Sequence, residues 1–283
     1  MSHPERLAVS PLRPLPEAFI LGAMRAGTTF LHAALCAHPG VARAKSKELQ
    51  FFSLDWEKGL DFYSSQMPVR WPSTIYSLAG RARPIVVDAT PYYLFHPESP
   101  MRLRAAVGTK AKCIILLRDP TLRAWSHYNM MLRLGWEHLG LRDALAREAE
   151  RTVPGLEFKH RETVLPGHLL FSYVARGYYA EQLLAWWKHL PRENFLVLRS
   201  EDLFADPQSI LGRVCDFLEL QRIALSPDLP RNQAPYGVIP SAAGDMLGRL
   251  FEDANRRLYD LTGISWRSEH SDEWERPAVQ EAI

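Results

Sequence analysis

Short apolar runs alternate along the chain with stretches whose apolar residues recur at helical spacing. The apolar runs predict buried strands at residues 17–22, 84–88, 112–117 and 194–199. Apolar positions three and four residues apart predict helices at residues 28–37, 97–106, 120–134, 173–189, 207–219 and 246–261. Strands that alternate with helices predict an α/β fold, a doubly wound parallel sheet flanked by helices.

Segments that interrupt this rhythm define the predicted organisation. Residues 1–16 contain four prolines and predict an extended N-terminal arm. A single domain is predicted over residues 17–266. Within it, a charged stretch bracketed by Pro and Gly predicts a substrate-side insertion at 135–172, and four prolines without a clear period predict a lid at 222–243. The polar residues 267–283 predict a flexible tail.

A glycine loop follows the first predicted strand. Gly22 and Gly27 have the Gly-x-x-x-x-Gly spacing of a P-loop, between a strand and a helix. Backbone N–H groups and the positive end of a helix favour an anion at such a turn. A nucleoside triphosphatase needs Lys after the second glycine, but Thr28 stands there and the cation in the loop is Arg25. We therefore expect a phosphate site that is not a standard ATP or GTP site, or a turn that only packs helix on sheet.

A second polar segment follows the third predicted strand. Arg118 and Asp119 stand at the carboxyl end of the apolar run 113–117, where open α/β sheets bind ligands. Ser126 lies about two turns into the helix that follows. Arg118 and the Ser126 hydroxyl would together form a second phosphate site. The alternative is an Arg118–Asp119 pair with a solvent-facing Ser126, and the residues alone leave both open.

Together the two segments resemble the sulfotransferase family, which uses 3′-phosphoadenosine 5′-phosphosulfate (PAPS). The resemblance implies a P-loop-like fold, with the first segment as the 5′-phosphosulfate loop and the second as the 3′-phosphate site. A late loop at residues 231–237 resembles the family's cofactor-covering loop. The cofactor-binding residues that the resemblance implies are Gly22, Arg25, Ala26, Gly27, Thr28, Thr29, Arg118, Ser126, Arg231 and Tyr236.

Further motifs are similar to the heparan sulfate N- and 3-O-sulfotransferase branch. They lie at residues 47–52, 59–68, 88–93, 176–187 and 195–201. Two positions depart from that branch. Arg25 replaces a usual Lys, as in tyrosylprotein sulfotransferases, and Ala89 replaces a Lys that would contact a sugar carboxylate.

Sulfuryl transfer requires a base for the acceptor and a cation at the leaving phosphate. Arg25 is the predicted cation. Glu48 is the predicted base, since the resemblance places a catalytic Glu here, and partial burial at the edge of an apolar run would raise its pKa. The alternative is a solvated Glu48 paired with Lys45 or Lys47.

Three residues after the second predicted strand are assigned to the acceptor. Asp88 ends the apolar run and could bind substrate or act as the reserve base, while Tyr92 and Tyr93 could line an acceptor cleft. The run that ends in Asp88 also resembles a Walker B acid, which keeps a kinase interpretation open.

The composition limits the classes of partner that we expect the protein to bind. A net charge of +2, from 34 basic and 32 acidic residues, offers no case for nucleic acid or an anionic membrane. No Cys/His cluster has zinc spacing, so no metal is predicted. The three cysteines stand apart in apolar contexts and predict buried free thiols. With no signal peptide or apolar run of transmembrane length, the sequence predicts a cytoplasmic protein without a membrane anchor, most simply bacterial.

The predicted function is transfer of a sulfuryl group from PAPS, with PAP (3′-phosphoadenosine 5′-phosphate) as the product. The expected acceptor is a hydroxyl, or as a second choice an amine, of a carbohydrate or small metabolite. Two alternatives are a P-loop kinase of a small molecule and a PAPS- or PAP-binding module without turnover. The sequence names neither the acceptor nor an oligomeric state.

Overall fold

The computed structural model describes residues 13–69, 76, 82–160, 163–226 and 238–266. The chain divides into two compact units, one formed by Met1–Leu117 with Leu183–Asn232 and the other by Arg118–Gln182 with Gln233–Ile283. Most of the predicted arm, lid and tail, namely residues 1–12, 227–237 and 267–283, lies outside the described residues.

The first unit is built on a five-stranded parallel sheet. Its strands are β1 (Ala18–Gly22), β2 (Val41–Arg43), β3 (Ile85–Ala89), β4 (Lys112–Leu117) and β7 (Phe195–Arg199). They lie in the order β2-β3-β1-β4-β7. The central strands β1 and β4 are continuous apolar runs because helices cover both faces of a parallel sheet. The strand order reverses beside β1, where open α/β sheets form a binding crevice at their carboxyl ends.

The strand predictions are confirmed, each within a residue of the observed bounds. β2 was not predicted, since its three residues, Val-Ala-Arg, are too short for a periodic signal. The helices bounded within the described residues are α1 (Thr28–Cys36), α2 (Gly59–Ser65), α3 (Ser99–Val107), α4 (Pro120–Leu134), α5 (Leu141–Ala146), α6 (Glu148–Arg151), α7 (Gly167–Leu170), α8 (Tyr179–Trp187), α9 (Ser200–Ala205), α10 (Pro207–Phe217) and α11 (Ser241–Thr262). No helix in these described segments is long and apolar enough to cross a membrane.

The second unit packs α11 against α4. Its apolar clusters are centred on Tyr173 and Phe251, which are fully buried. An antiparallel pair, β5 (Glu157–His160) and β6 (Thr163–Pro166), and the short helices α5 to α7 occupy the predicted insertion 135–172. This segment therefore has regular structure of its own.

One predicted helix is interrupted. Residues 173–189 were expected to form a single helix, but a 3₁₀ turn at Ala175–Gly177 precedes α8. A Cβ on Gly177 would lie 2.4 Å from Cε1 of Phe251 and 3.0 Å from Cβ of Pro120. This close approach fixes the turn against α4 and α11, and it is a tertiary contact that periodicity does not reveal.

A buried ion pair stabilises the second unit. The Glu137 carboxylate, 1% exposed, accepts hydrogen bonds from Arg151 Nη1 and the Tyr173 hydroxyl, both at 2.8 Å, and from the backbone N–H groups of His138 and Leu139. Burial alone raises the pKa of Glu137, but these four hydrogen bonds outweigh it and the net pKa is lowered.

Candidate functional site

The glycine loop lies at the carboxyl end of the central strand of the first unit. β1 ends at Gly22 and α1 begins at Thr28, as predicted. Arg25 and Gly27 adopt the left-handed conformation, with φ of 72° and 89°. The loop thus reverses the chain directly into the start of a helix, as a phosphate-binding turn requires.

Both glycines are needed for structural reasons. A Cβ on Gly22 would lie 2.7 Å from Cβ of Leu94, which is closer than real Cβ atoms pack, and 3.1 Å from the Pro91 carbonyl oxygen, which is a tight contact. At Gly27 the positive φ disfavours any side chain, and an added Cβ would also lie 3.0 Å from the Phe204 ring. These two close contacts therefore require glycine at both positions of the loop.

The donors that remain in the loop fit an anion. The Ala23 N–H binds the Leu116 carbonyl at 2.6 Å, which ties the loop to β4. Among the described residues no side chain caps α1, and the N–H groups of its first turn point the positive end of the helix at the loop. Thr28 is buried at the helix start and Thr29 is exposed, while Arg25 is half-buried. Ala26 is fully buried and contributes backbone only. Together these groups make a cradle that suits the phosphate end of a nucleotide.

Glu48 lies at the carboxyl end of β3, in the same unit as the glycine loop. Its N–H binds the Ala89 carbonyl at 3.0 Å, and its φ of 62° is in the left-handed region. The carboxylate forms an ion pair with Lys47 and is 47% exposed. The pair with Lys47, weighed from the sequence as an alternative, is therefore present, and the carboxylate remains accessible to an acceptor.

Asp88, assigned from the sequence to the acceptor or as the reserve base, has a buried side chain, so the structure adds no support to that assignment. Its side chain is 1% exposed and accepts hydrogen bonds from three hydroxyls: Tyr63 at 2.7 Å, Thr90 at 2.8 Å and Tyr93 at 3.1 Å. Burial raises the pKa of Asp88 and the hydrogen bonds only partly oppose this rise. Asp88 is the centre of a buried polar cluster.

The two tyrosines assigned to an acceptor cleft are also buried. Tyr93 is 0% exposed and binds Asp88, and Tyr92 is 3% exposed and packs edge-on against His96 with ring centroids 5.4 Å apart. Ala89, the last residue of β3, is 1% exposed. Because both side chains are buried, the structure adds no support to an acceptor role for these tyrosines.

The second phosphate segment belongs to the second unit. Asp119 caps α4 through hydrogen bonds to the N–H groups of Thr121 and Leu122 at 2.7 and 3.0 Å. The Arg118 carbonyl accepts a hydrogen bond from the Tyr179 hydroxyl at 2.9 Å. Ser126 lies on the second turn of α4, as predicted, and is 3% exposed, so it is not the solvent-facing Ser of the alternative.

Two predicted cofactor residues are not described. Arg231 and Tyr236, assigned to the late cofactor-covering loop, lie outside the described residues. Their assignment stays a prediction.

Two residues near the loop were missed by sequence reasoning. Phe204 on α9 is 53% exposed although its ring lies against Gly27 and 6.3 Å from the Phe30 ring. His32 on α1 has its pKa lowered to about 4, first by burial and then by the charges of Lys47 and Arg43. Sequence reasoning missed both residues because neither belongs to a motif. Only the fold brings α9, with Phe204, beside the glycine loop.

One cysteine prediction is wrong. Cys113 and Cys215 are buried free thiols, but Cys36 is only partly buried. Its sulfur lies 3.4 Å from Nε2 of His32, one helical turn away.

Comparisons with known proteins agree on one family. The model of the sulfotransferase domain matches residues 15–226. The chain is 35% identical over 211 residues to human heparan sulfate glucosamine 3-O-sulfotransferase 3B1, a match that covers 75% of this chain and 48% of that protein. It is 31% identical over 275 residues to human heparan sulfate glucosamine 3-O-sulfotransferase 6, covering 89% of this chain and 73% of that protein.

The match to 3B1, like that to human 3A1, spans about half the length of the relative. Among solved structures, a sulfotransferase from Alicyclobacillus acidocaldarius superposes with a TM-score of 0.67 at 27% identity, over 93% of this chain and 100% of that one. The chain belongs to the sulfotransferase domain family.

Proposed function

We propose that this protein is a sulfotransferase that moves a sulfuryl group from PAPS to a hydroxyl of a carbohydrate or small metabolite. PAPS is the sulfate donor that the sulfotransferase family uses. The observation that carries the proposal is the arrangement in the first unit. An accessible carboxylate, Glu48, is bonded through its N–H to the last residue of β3, and β3 pairs with β1, the strand that leads into the glycine loop containing Arg25.

The glycine loop would hold the donor's 5′ end. Gly22 and Gly27 let the loop pack closely against Leu94 and Phe204, and the first turn of α1 would supply N–H donors to the phosphate. Negative charge builds on the leaving phosphate as the S–O bond breaks, and Arg25 is the cation in the loop that would stabilise it. Arg118 and Ser126 are proposed for the 3′-phosphate on the family resemblance.

Glu48 would act on the acceptor. The Glu48 carboxylate would take the proton from the acceptor hydroxyl as the hydroxyl oxygen attacks the sulfur atom of PAPS. The ion pair with Lys47 and the backbone hydrogen bond to Ala89 hold the side chain and its backbone in one orientation. Orientation of this kind matters because proton transfer needs hydrogen-bond distance to the acceptor oxygen.

The acceptor is proposed as a carbohydrate, because the named relatives act on the glucosamine of heparan sulfate. A kinase is not favoured, since Thr28 stands where a P-loop needs Lys. A binding module without turnover remains the second candidate, and the assay below separates it from an enzyme. A cytoplasmic, bacterial setting and the absence of a membrane anchor stay predictions.

The test is transfer from ³⁵S-labelled PAPS to heparan sulfate and to a panel of glycosides and phenols, for wild type, Glu48→Gln and Glu57→Gln. Glu57 is the matched control, since it is an exposed Glu in the same unit. We expect Glu48→Gln to lower turnover by roughly 10²–10⁴, the usual range for a general base, while PAP affinity stays within about twofold and Glu57→Gln behaves as wild type. Near-native turnover of Glu48→Gln would reject Glu48 as the base. Tight PAP binding with no labelled product would favour the binding module.

A further inference from the structure

We propose that Asp88 is a positioning residue that holds the turn carrying Glu48 in place, acting through Tyr63 and Tyr93. The inference deepens the proposed function and depends on it, because it concerns the orientation of the proposed base. It gives a role to a carboxyl group that is 1% exposed and accepts hydrogen bonds from three hydroxyls.

The contacts of Asp88 are unusual for a carboxyl group. No other Asp or Glu side chain among the described residues of the first unit is buried. Its partners are hydroxyls from three separate positions, Tyr63 on α2 and Thr90 and Tyr93 beyond the end of β3. A buried carboxyl group without a good set of donors is costly, so the three hydroxyls and Asp88 fix one another's positions.

The tyrosine rings transmit this anchoring to the segment after Glu48. The Tyr63 ring stacks on the Phe51 ring, with centroids 4.3 Å apart and planes 6° apart. The Tyr93 ring meets the Phe52 ring edge-on at 5.3 Å, and Tyr63 meets Phe52 edge-on at 5.1 Å. Phe51 and Phe52 are both 0% exposed, so their rings cannot move without disturbing this cluster.

The turn itself needs such support. Glu48 and Gln50 have φ of 62° and 55°, a region that residues with a Cβ adopt only when their surroundings impose it. The turn is tied at one end by the hydrogen bond from the Glu48 N–H to the carbonyl of Ala89, the neighbour of Asp88 in β3. It is tied at the other end by Phe51 and Phe52. Asp88 supports both attachments, the first through its neighbour Ala89 and the second through Tyr63 and Tyr93.

The charge of the proposed base, Glu48, acts on Asp88. The negative charge of Glu48 raises the pKa of Asp88, in addition to the larger effect of burial. The groups that bear on this pair are the hydroxyls of Tyr63, Thr90 and Tyr93 around Asp88, and Lys47 beside Glu48, with His32 on α1 close by. The two carboxyl groups therefore interact although only Glu48 reaches solvent.

A double-mutant cycle tests the proposal. Asp88→Asn keeps the volume of the side chain but replaces one carboxylate oxygen with a donor, so the three hydroxyls can no longer all donate. We expect kcat for ³⁵S transfer to fall about tenfold to a hundredfold, as for a misplaced catalytic group, with acceptor KM and PAP Kd unchanged within about twofold. In a Glu48→Gln background the same change should have no further effect, because the base is already lost.

Tyr63→Phe is the second variant, since it keeps the stacked ring and removes one hydrogen bond to Asp88. It should lower kcat several-fold in the wild-type background only, and it decides the matter if Asp88→Asn does not fold. Tyr259→Phe, at a 55% exposed position, is the control and should change nothing. Active-enzyme concentration is set by PAP titration for every variant.

Equal losses of kcat with Glu48 present and absent, or wild-type kcat in folded Asp88→Asn or Tyr63→Phe, would overturn the positioning role. If Glu48→Gln alone keeps full turnover, the proposed base fails instead. The two failures are therefore distinguishable.

Discussion

Replacing Gly22 with Ala tests whether the glycine loop is shaped by close backbone approach. The added methyl would lie 2.7 Å from Cβ and 2.9 Å from Cδ2 of Leu94, and 3.1 Å from the Pro91 carbonyl oxygen. Leu94 cannot easily retreat. Its N–H binds the Leu21 carbonyl at 2.8 Å, its carbonyl accepts from Trp186 Nε1 at 3.2 Å, and its side chain is 3% exposed. The strand end or the loop must shift instead.

We expect this overpacking to cost about 1–3 kcal/mol of the free energy of unfolding, the usual range for an extra methylene in a packed interior. A displaced loop should also weaken PAP binding by roughly tenfold, since sub-ångström positioning of donors determines charged hydrogen bonds. Urea unfolding followed by tryptophan fluorescence gives the stability, and titration calorimetry gives the PAP Kd.

Gly140→Ala is the matched control, because φ there is −60° and nothing lies within 4 Å of an added Cβ. It should change the free energy of unfolding by no more than about 1 kcal/mol, because restriction of the unfolded chain favours Ala whereas the N-cap position of α5 favours Gly. Gly22→Ala with wild-type stability and wild-type PAP affinity would refute the packing argument.

Three further predictions concern charge. Glu137→Gln should cost about 3–5 kcal/mol of stability, because it leaves Arg151 without its buried partner. The pKa of Glu137 is lowered, so its contribution to stability is present above the ordinary carboxyl pKa and lost as pH falls through the folded value. Urea titrations from pH 7 to pH 3 should therefore show that the free energy of unfolding depends less on pH in Glu137→Gln than in the wild type. PAP should bind much more tightly than AMP in calorimetry, and equal affinities would reject Arg118 and Ser126 as the 3′-phosphate site. Arg25→Ala should lose most activity and Arg25→Lys should keep some, with initial rates unaffected by EDTA; strict magnesium dependence with an active Arg25→Ala enzyme would favour a kinase.

The sheet and the loop were accessible from sequence because their signals are local. Continuous apolar runs predict buried parallel strands, and the spacing of Gly22 and Gly27 between a strand and a helix predicts a phosphate turn. Each of these features depends on residues that are neighbours in the chain.

What the sequence could not predict depends on contacts between distant residues. The break in the helix predicted at 173–189 lies where Gly177 packs closely against Phe251, a residue more than seventy positions away in the chain. Asp88 at a strand end resembles a ligand-binding acid, and only the fold shows hydroxyls from α2 and beyond β3 converging on it. Glu48 was proposed as the base through the family resemblance, which stays a prediction, and the sequence left open whether it pairs with Lys45 or Lys47; the fold shows the pair with Lys47.

A single-turnover experiment tests the central claim most directly. Enzyme in excess over ³⁵S-labelled PAPS is mixed with the acceptor panel, and labelled acceptor and PAP are both quantified over time. The account predicts that each PAP formed is matched by one labelled acceptor molecule in the wild type, and that both fall together by roughly 10²–10⁴ in rate in Glu48→Gln. PAPS bound tightly by the wild type, with no acceptor labelled and no PAP released, would contradict the account.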